Sequence, residues 1–509
     1  MAVTRGKFVP VKLSLAELLG KDYVQAVAAA RSALTGEPAA PLRAAARRRI
    51  DFFPVAMQRA LAARLADVGR RVSRPCASTA AGASTATFEA VTRTQASPAS
   101  GWGYYRIGED GRLYLLSKSE HYHTPLGHSF PGYELGRLAQ TLGICQATHN
   151  NTRGHITRLL EGELLRAANG AARGGLSEVL NLQTGSLACE AGIKMMLARF
   201  YQSQDDSPPA PQRRVPVMIV IGDNEGGRGA NYHGTTMFGQ MLRGMWPGLE
   251  RRLDRADVWK VVAVRANNMA ELEAAFARYD RGRYKIAGMS LELVLMNYGG
   301  LRLTPAFARA AQRLCRRHDA PLMIDEIQTC LWSPRLYMYR EYGLKPSLVV
   351  IGKGFSGGEY AASRLLIDRS LDRLPQFGAL VTNGQEELAS LAYLVTMRWA
   401  AANAEATAAV GDYYQSRLHE LAARYPRLIS TVEGSRHLAS VYFHDLEIVK
   451  RFVATLAGGG LDISVQTYKA ACPPGALTKL PLIVDAKVVD LVIARMDAAL
   501  SSVARASRP

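Results

Sequence analysis

The segments APLMIDEIQTC (320–330) and SLVVIGKGFSGG (347–358) decide how this chain is expected to fold. Each contains a short apolar run with the length of a buried strand, and the two runs end at Asp325 and Lys353. These two residues are 28 positions apart, which leaves room for one helix between two strands. Parallel strands of that kind end at the same edge of a sheet, where open α/β sheets bind their ligands. The pattern predicts a carboxylate and an amine over one crevice, although ordinary surface residues at strand ends would give the same pattern.

Strand patterns alternate with helical patterns after about residue 160. The additional apolar runs lie at 215–222, 258–264 and 290–296. Such alternation predicts a mostly parallel sheet with helices on both faces. The last part of the chain is expected to form a smaller α+β unit, because it contains helical patterns at 385–424, 445–458 and 486–503.

The segments before the sheet have a different character. Residues 41–73 show a loose helical spacing that is broken near Pro54, and residues 77–101 are small and polar enough to be a linker. Residues 104–117 alternate around a Glu-Asp-Gly turn at 109–111, which is typical of a hairpin. We therefore expect an N-terminal helical extension that leads through a linker into a small sheet.

The composition of the 509 residues is that of an ordinary globular protein, with 48% hydrophobic and 21% charged residues. No apolar run approaches the roughly 20 residues of a membrane span. Charged residues interrupt the first segment too often for a secretion signal. The six cysteines include no CxxC pair, so neither a disulfide framework nor a metal site is expected. We therefore expect a soluble, cytoplasmic protein of two or three domains without a membrane partner.

Basic residues are concentrated near the beginning of the chain. The formal charge is +19, and residues 1–75 contain 14 Lys and Arg against 5 Asp and Glu. Such a face could steer an anionic substrate, bind an acidic carrier protein or touch nucleic acid. The absence of aromatic residues interleaved with these arginines disfavours nucleic acid. A solvated helix face explains the same pattern without a partner.

A third segment has the pattern of an anion site. It reads NLQTGSLACEAGIKMMLARF (181–200) and places a Thr-Gly-Ser turn before a strong helical pattern. Backbone amides at the start of a helix bind phosphate. A phosphate cradle, a strand-end Asp and a strand-end Lys together meet the needs of pyridoxal phosphate (PLP). That cofactor requires a site for its phosphate, an anion for its pyridine nitrogen and an amine for its aldehyde.

Over roughly residues 102–505 the chain resembles the class III, ornithine-type aminotransferases. The motif DEIQTC, which begins at Asp325, is similar to the family's DExQTG, and Lys353 in IGKGFSGGEY is similar to the lysine that forms a Schiff base with PLP. The resemblance implies that Asp325 pairs with the pyridine nitrogen. It also implies that Gln328 contacts the ring 3-hydroxyl and that Ile327 packs on one face of the ring.

Other motifs carry further implied roles. The segment NYHGTT (231–236) resembles the family's aromatic-His-Gly-Arg-Thr segment, which implies that Tyr232 stacks on the other face of the ring. Gly185 and Ser186 correspond to phosphate ligands. The segment TNGQEELA has the spacing of the family's TFGGNPLA, which implies that Thr382 reaches the phosphate in a neighbouring subunit. The resemblance therefore implies a homodimer with shared active sites.

The segments expected to contact the substrate differ from those of the family. Glu292 lacks the Pro-x-Gln-Gly that usually follows it, and Leu477 stands where many members have an arginine for the substrate carboxylate. Lys479 is the nearest replacement, although an ammonium lacks the bidentate fork of a guanidinium. Other candidates flank the segment LGHSFP, which resembles the family's LGHxHP. These candidate substrate residues are His121, Tyr122, His123, Asn150 and Asn151.

The resemblance implies fold type I of the PLP-dependent transferases. This is an α/β fold with a mostly parallel sheet in a large domain and a smaller α+β domain, here with an N-terminal helical extension. The predicted division is 1–101 (extension and linker), 102–165 (N-terminal part of the small domain), 166–395 (large PLP-binding domain) and 396–509 (C-terminal small domain).

Together these residues predict a PLP-dependent aminotransferase of a biosynthetic pathway. Through a Schiff base on Lys353 it would transfer an amino group between a small-molecule amine or amino acid and a keto or aldehyde acceptor. The changed substrate segments leave two alternatives. One is a PLP-dependent racemase, aminomutase, decarboxylase or carbon–carbon bond-forming enzyme on the same scaffold. The other is a protein that uses its basic N-terminal extension to bind a carrier protein or another polyanion.

Overall fold

The computed structural model describes residues 7–80, 82–89, 96–147, 149–171, 175–201, 213–222, 231–466 and 472–506. The chain first forms short helices and a two-stranded sheet. These elements are β1 (Lys12–Leu13), α1 (Leu15–Leu19), α2 (Lys21–Thr35), α3 (Ala39–Arg47), β2 (Ile50–Asp51), α4 (Val55–Ala63) and α5 (Ala86–Glu89). A capping box begins α1, because Ser14 and Glu17 each accept the other's backbone N–H. The break near Pro54 is confirmed, since Pro54 lies directly before α4.

A small antiparallel sheet follows and precedes two longer helices. These elements are β3 (Pro98–Trp102), β4 (Tyr105–Gly108), β5 (Leu113–Leu115), the single turn α6 (Ser119–Tyr122), α7 (Glu134–Thr141) and α8 (His155–Asn169). The predicted hairpin is confirmed, because β4 pairs antiparallel with β5 around the turn at Gly111. Part of the stretch predicted as a linker instead forms β3, which pairs with β4.

The middle of the chain forms the large sheet and its covering helices. The elements are β6 (Glu178–Leu182), α9 (Gly185–Leu197), β7 (Val215–Ile221), α10 (Met237–Leu242), α11 (Pro247–Arg255), β8 (Lys260–Val264), α12 (Met269–Tyr279), β9 (Tyr284–Glu292), β10 (Val294–Leu295), β11 (Leu301–Arg302), α13 (Pro305–Arg317), β12 (Leu322–Asp325), α14 (Met338–Glu341), β13 (Leu348–Ile351), β14 (Ser363–Ile367) and α15 (Gln376–Ala379). Seven of these strands form one sheet in the order β6-β14-β13-β12-β9-β7-β8. The prediction of a mostly parallel sheet is confirmed, with β14 as the antiparallel member.

Both faces of the large sheet are buried. Val349 and Ile351 of β13 pack into one hydrophobic cluster, while Leu348 and Val350 pack into another on the opposite face. Alternate residues of a strand point to opposite faces, so a strand covered on both sides must be apolar throughout. This is why the predicted strands appear in the sequence as continuous apolar runs.

Strand register brings the two key side chains together. In the parallel pairs, Asp325 lies beside Glu292 of β9 and beside Val350 of β13. Lys353 follows β13 two residues after its last residue, Ile351. The carboxyl ends of β9, β12 and β13 therefore meet at one edge of the sheet.

The C-terminal part is an α+β unit, as predicted. Its elements are α16 (Glu387–Ala402), α17 (Ala404–Arg424), β15 (Ile429–Ser435), β16 (Leu438–Phe443), α18 (Leu446–Gly458), β17 (Ser464–Gln466), β18 (Gly475–Lys479) and α19 (Ala486–Ala506). The four strands form an antiparallel sheet in the order β15-β16-β18-β17. This unit binds the β3–β5 sheet through an ion pair between Arg106 and Asp462, 2.7 Å apart. The predicted domain limits stay predictions.

Among the described residues, no helix combines the length and the apolar character that crossing a membrane would require.

A buried carboxylate joins α8 to α16. The Glu387 side chain accepts the backbone N–H groups of Ile156 and Thr157, at 2.8 and 3.1 Å, in the first turn of α8. Those N–H groups have no partner within the helix, because the first turn lacks preceding carbonyls. Glu387 therefore acts as a distant N-cap.

We predict that Glu387→Ala lowers the free energy of unfolding by about 2 kcal/mol, because it leaves two buried N–H groups without an acceptor. Urea denaturation followed by circular dichroism measures the change. Glu405→Ala, in the exposed first turn of α17, is the matched control and should change the free energy by less than about 0.5 kcal/mol. Equal effects of the two substitutions would show that the cap contributes nothing.

Candidate active site

A cavity of about 430 Å³ opens at the carboxyl edge of the large sheet. We call it the main cavity. The structure brings nine of the sequence-predicted site residues to its lining: His123, Gly185, Ser186, Tyr232, Glu292, Asp325, Ile327, Gln328 and Lys353. They come from separate strands, helices and loops, so the fold assembles them.

Asp325 lies at the base of the main cavity with only 4% of its surface exposed. One carboxylate oxygen accepts the backbone N–H of Ile327 at 3.0 Å. The other contacts His233 Nδ1 at 3.2 Å and the Cys189 thiol at 3.3 Å. These three hydrogen-bond donors come from different segments of the chain, and together they hold the carboxylate in one orientation.

His233 and Cys189 are site residues that the sequence analysis does not predict. His233 is buried beside Tyr232, and its second ring nitrogen hydrogen-bonds the Ser290 hydroxyl at 3.1 Å. Burial and the neighbouring Asp325 carboxylate raise the pKa of Cys189 well above its usual value, so the thiol keeps its proton and can donate it. The only sequence signals are that His233 lies inside NYHGTT and that Cys189 lies one helical turn after Gly185.

Lys353 begins a short 3-10 turn, Lys353–Ser356, which Gly352 connects to β13. Its backbone φ is +42°, an uncommon conformation for a residue with a side chain. Burial lowers the pKa of the Lys353 amine to about 8, although the negative charges of Asp325 and Glu292 oppose that shift. A larger fraction of this amine than of an ordinary lysine is therefore neutral and nucleophilic near neutral pH.

The first turn of α9 also lines the main cavity. Thr184 caps the helix by accepting the N–H of Leu187, and the N–H of Thr235 donates to the Ser186 hydroxyl at 3.1 Å. A Cβ added to Gly185 would lie 2.7 Å from Ile327 Cδ1, so a larger residue there would require the Ile327 side chain to move. The small residues and the helix N-terminus together suit an anionic group such as phosphate.

The remaining features of the main cavity also fit PLP. Gln328 Oε1 is buried and has no hydrogen-bond partner among the described residues, and it lies on the same cavity as Lys353. A buried acceptor of this kind requires a donor, which the ring hydroxyl of PLP would supply. The helix N-terminus suits the phosphate, Asp325 suits the pyridine nitrogen and the Lys353 amine suits the aldehyde.

Tyr232 lines the main cavity, and Glu292 and Arg243 contact it. Its backbone N–H donates to Glu292 at 3.2 Å, and the guanidinium of Arg243 lies 5.1 Å from the centre of its ring. Burial and the charge of Asp325 raise the pKa of the Glu292 carboxyl well above its usual value. Glu292, predicted as a substrate residue, therefore also positions the backbone of Tyr232.

A smaller cavity of about 220 Å³ adjoins the main one and shares three lining residues with it. We call it the side cavity. The shared residues are Tyr232, Gln328 and Lys353, and the others are His121, Tyr122, Arg243, Met296 and Asn297. It therefore adjoins the main cavity at Lys353 and Gln328.

The turn that carries His121 and Tyr122 is left-handed. The four consecutive residues of α6 have φ between +45° and +77°, and none of them is glycine. Such a conformation costs roughly 1–2 kcal/mol per residue. The surroundings hold it in place, because Glu120 lies 3.2 Å from the buried Arg106 guanidinium and the Ser119 hydroxyl donates to the Lys479 carbonyl at 2.6 Å.

The predicted histidines are neutral. Burial and the positive charge of Lys353 lower the pKa of His121 to about 3, and burial with the charges of Lys353 and Lys479 lowers that of His123 to about 4. At neutral pH each ring can therefore offer a hydrogen bond to a bound molecule but no positive charge.

Four predicted residues lie outside the lining of both cavities. Lys479 is fully buried, donates from its Nζ to the Gln328 carbonyl, and lies 3.8 Å from the centre of the Trp332 ring and 4.8 Å from that of Tyr122. Burial lowers the pKa of its amine well below the usual value. Asn151 lies on an exposed turn, as does Thr382. Asn150, beside Asn151, also does not line either cavity.

Comparisons with known proteins agree with this architecture. Residues 89–500 match the family described as aminotransferase class-III. Acetylornithine aminotransferase of Parasynechococcus marenigrum is 26% identical over 284 residues, which cover 53% of this chain and 64% of that protein. The enzyme of the same name from Thermosynechococcus vestitus is 26% identical over 78% of this chain and 91% of its own length. The alignment with the Haemophilus ducreyi acetylornithine aminotransferase, at 32% identity, spans only 27% of that protein.

Solved structures share the fold at low sequence identity. The ornithine aminotransferase of Toxoplasma gondii superposes with a TM-score of 0.66 at 17% identity, over 82% of this chain and 92% of that one. The N-acetylornithine aminotransferase of Stenotrophomonas maltophilia gives 0.63 at 18% identity, over 81% and 97%. The fold is thus fold type I of the PLP-dependent transferases, and the chain belongs to the class-III aminotransferase family, whose cofactor is PLP.

Proposed function

We propose that the protein is an aminotransferase that moves an amino group from an amine or amino acid to a keto or aldehyde acceptor. One observation carries this proposal. The Lys353 amine and the Asp325 carboxylate, at the ends of neighbouring strands, line one cavity together with the N-terminus of α9. The family match supports the same activity.

The chain's own residues would divide the chemistry among them. When bound, PLP supplies an aldehyde that condenses with amines and a ring that takes up the electrons released from the carbon next to the amine nitrogen. Lys353 would hold the cofactor through its Nζ. Once a substrate amine has displaced it, Nζ can accept the proton from the carbon next to the amine nitrogen. The same Nζ can then donate a proton to the former aldehyde carbon of the cofactor. A pKa of about 8 suits this exchange, because the amine can both accept and donate a proton near neutral pH.

Asp325 would keep the pyridine nitrogen protonated. Its carboxylate is buried and held by His233 and Cys189, so it can interact with a cation at close range without reorganising. The racemase, aminomutase, decarboxylase and carbon–carbon bond-forming alternatives would use the same two residues. These reactions differ in the product that is released, so analysis of the products distinguishes them.

We further infer a homodimer in which Thr382 completes the phosphate site of the partner subunit. Thr382 is exposed and does not line the main cavity of its own chain, among the described residues.

A cytoplasmic location and a biosynthetic role stay predictions. Binding of a carrier protein by the N-terminal extension is also a prediction. Arg48 and Arg49 of that segment pair with Glu134 and Glu17 in ordinary surface ion pairs.

We predict that the rate at which added PLP condenses with Lys353 of the cofactor-free protein, sampled by borohydride trapping at short times, rises with pH through a pKa of about 8. The neutral amine is the reactive form, and burial disfavours its charged form. Mass spectrometry of peptides after trapping at a series of pH values measures the profile. Lys353→Ala should show no adduct and no turnover. An unshifted profile centred near 10.5, or an adduct on Lys479 instead, would contradict the assignment.

Asp325→Asn is expected to reduce turnover about 1000-fold while PLP still becomes attached to Lys353, because the substitution removes the charge opposite the ring nitrogen but keeps the shape. Turnover is measured as the formation of pyridoxamine phosphate together with a keto or aldehyde product. Asp22→Asn, on the exposed surface of α2, is the matched control. Near-normal turnover in Asp325→Asn refutes the role of this carboxylate, and products without pyridoxamine phosphate favour one of the alternative reactions.

Subunit mixing tests the shared site. Thr382→Glu places a negative charge beside the phosphate, so its homodimer should be inactive, as should that of Lys353→Ala. A mixed dimer should regain activity, because one of its sites then has an intact Lys353 and receives an intact Thr382 from the other subunit. Activity of the separately purified and then mixed variants is compared with that of each alone. If the mixed dimer stays inactive, Thr382 does not act across the interface.

A further inference from the structure

We propose that Lys479 is a positioning residue for the PLP site. It links the end of β18 to the segment that follows β12, and it thereby fixes the position from which Gln328 contacts the ring hydroxyl of the cofactor. This inference rests on the PLP binding that the proposed function requires. It gives a residue of the C-terminal unit a role in a site whose cavities it does not line.

The surroundings of the Lys479 amine are those of a fixed donor. Lys479 has no exposed surface, and its Nζ lies 3.8 Å from the centre of the Trp332 ring and 4.8 Å from that of Tyr122. Nζ donates to the backbone carbonyl of Gln328. Burial lowers the pKa of the amine well below its usual value, but the neutral amine also has N–H donors, so both forms can make this bond. An apolar side chain would fill the space at a lower desolvation cost, so the amine itself requires an explanation.

A second hydrogen bond joins the same two segments in the opposite direction. Trp332 Nε1, in the segment after β12, donates to the carbonyl of Leu480, the residue that follows β18, at 3.2 Å. Lys479 Nζ donates from the β18 side to the Gln328 carbonyl. Two points of attachment fix the orientation of one segment relative to the other as well as the distance between them.

The backbone of Lys479 extends this link to the left-handed α6 turn. Its N–H donates to the Ser117 carbonyl at 2.8 Å, and its carbonyl accepts the Ser119 hydroxyl at 2.6 Å. Lys479 therefore contacts, through three different groups, the segment that leads into Tyr122 and the segment that contains Gln328. Tyr122 and Gln328 both line the side cavity.

The Gln328 carbonyl is held from outside its own turn. The N–H groups of Thr329 and Cys330 donate to the Glu326 carbonyl at 3.1 and 2.9 Å, which closes a turn around Gln328. The Gln328 carbonyl instead accepts from Lys479, in another part of the chain. Because the carbonyl and the side chain of a residue share one Cα, a fixed carbonyl restricts the direction in which the side chain leaves the backbone.

The side chain of Gln328 requires such a fixed direction. Its Oε1 is buried without a hydrogen-bond partner among the described residues, and the residue lines both cavities together with Lys353. The ring hydroxyl of PLP would supply the donor. Hydrogen bonds weaken steeply when they are misaligned, so a displaced Gln328 would lose this contact. The phosphate site at α9 belongs to a different segment and would remain.

The test measures ligand binding to the PLP-free protein by equilibrium dialysis. The two ligands are PLP and the PLP analogue that lacks the ring hydroxyl, and the dissociation constant of the analogue is divided by that of PLP. This ratio reports the hydroxyl contact, because the two ligands share their other groups. We expect Lys479→Met to reduce the ratio about 10-fold, the loss of one well-placed hydrogen bond. Gln328→Leu should reduce it equally, and the double variant no further, because both substitutions remove the same contact.

The matched control is Thr478→Val, which removes a buried hydroxyl from the neighbouring residue of β18. That hydroxyl contacts Tyr414 and the Ala439 carbonyl, so the ratio should stay unchanged. Lys479→Leu, a second apolar replacement, should behave like Lys479→Met and provides the test if the methionine variant does not fold.

The two ligands separate positioning from general loosening of the fold. Loosening weakens the binding of PLP and of its analogue alike, and therefore leaves the ratio unchanged. An unchanged ratio in Lys479→Met and Lys479→Leu, or an equal reduction in Thr478→Val, would overturn the inference. The expected reduction in a protein that binds PLP but shows no turnover would support the role of Lys479 and refute only the aminotransferase activity.

Discussion

The parallel pairing of β12 with β13 is the constraint on which the site depends. Because Asp325 lies opposite Val350, the carboxylate at the end of one strand is adjacent to the loop that carries Lys353. Hydrogen bonds of the ladder set this register, and apolar packing on both faces of the sheet maintains it. A shift of one residue would turn Asp325 into the core and remove the carboxylate from the cavity.

Burial of these charges determines their chemistry. Both groups are buried at the edge of the sheet, so the pKa of the Lys353 amine falls while that of the Glu292 carboxyl rises. Asp325 is held by His233 and Cys189 and can face a cation directly. The left-handed turn at α6 adds the side cavity, and its strain is offset by the buried Arg106 ion pair and the hydrogen bond to Lys479. The shape of the side cavity beside Lys353 therefore depends on a strained turn that lowers the folding stability of the protein.

Local sequence patterns predict those parts of the site that lie within one element. The strand ends at Asp325 and Lys353, and the turn before α9, follow from apolar runs and helix starts, and the structure brings them to one cavity. Contacts between distant segments leave no local pattern, which is why the sequence analysis missed His233 and Cys189.

The same reasoning explains the other differences between sequence and structure. No periodicity indicates four consecutive positive φ values in residues that are not glycine, and the packing around Ser119–Tyr122 imposes them. Lys479 takes the position of a substrate cation in the sequence, but two aromatic rings cover it in the structure. The apolar runs also do not indicate β14, whose antiparallel position depends on pairing with β6.

The central claim is that Lys353 and Asp325 serve one PLP molecule from neighbouring strands. A crystal structure of the protein purified with PLP tests this claim most directly. We expect continuous density from Lys353 Nζ to the cofactor, the pyridine nitrogen beside the Asp325 carboxylate and the phosphate at the first turn of α9. Density for PLP that is separate from Lys353, or a ring nitrogen that faces away from Asp325, would contradict the account.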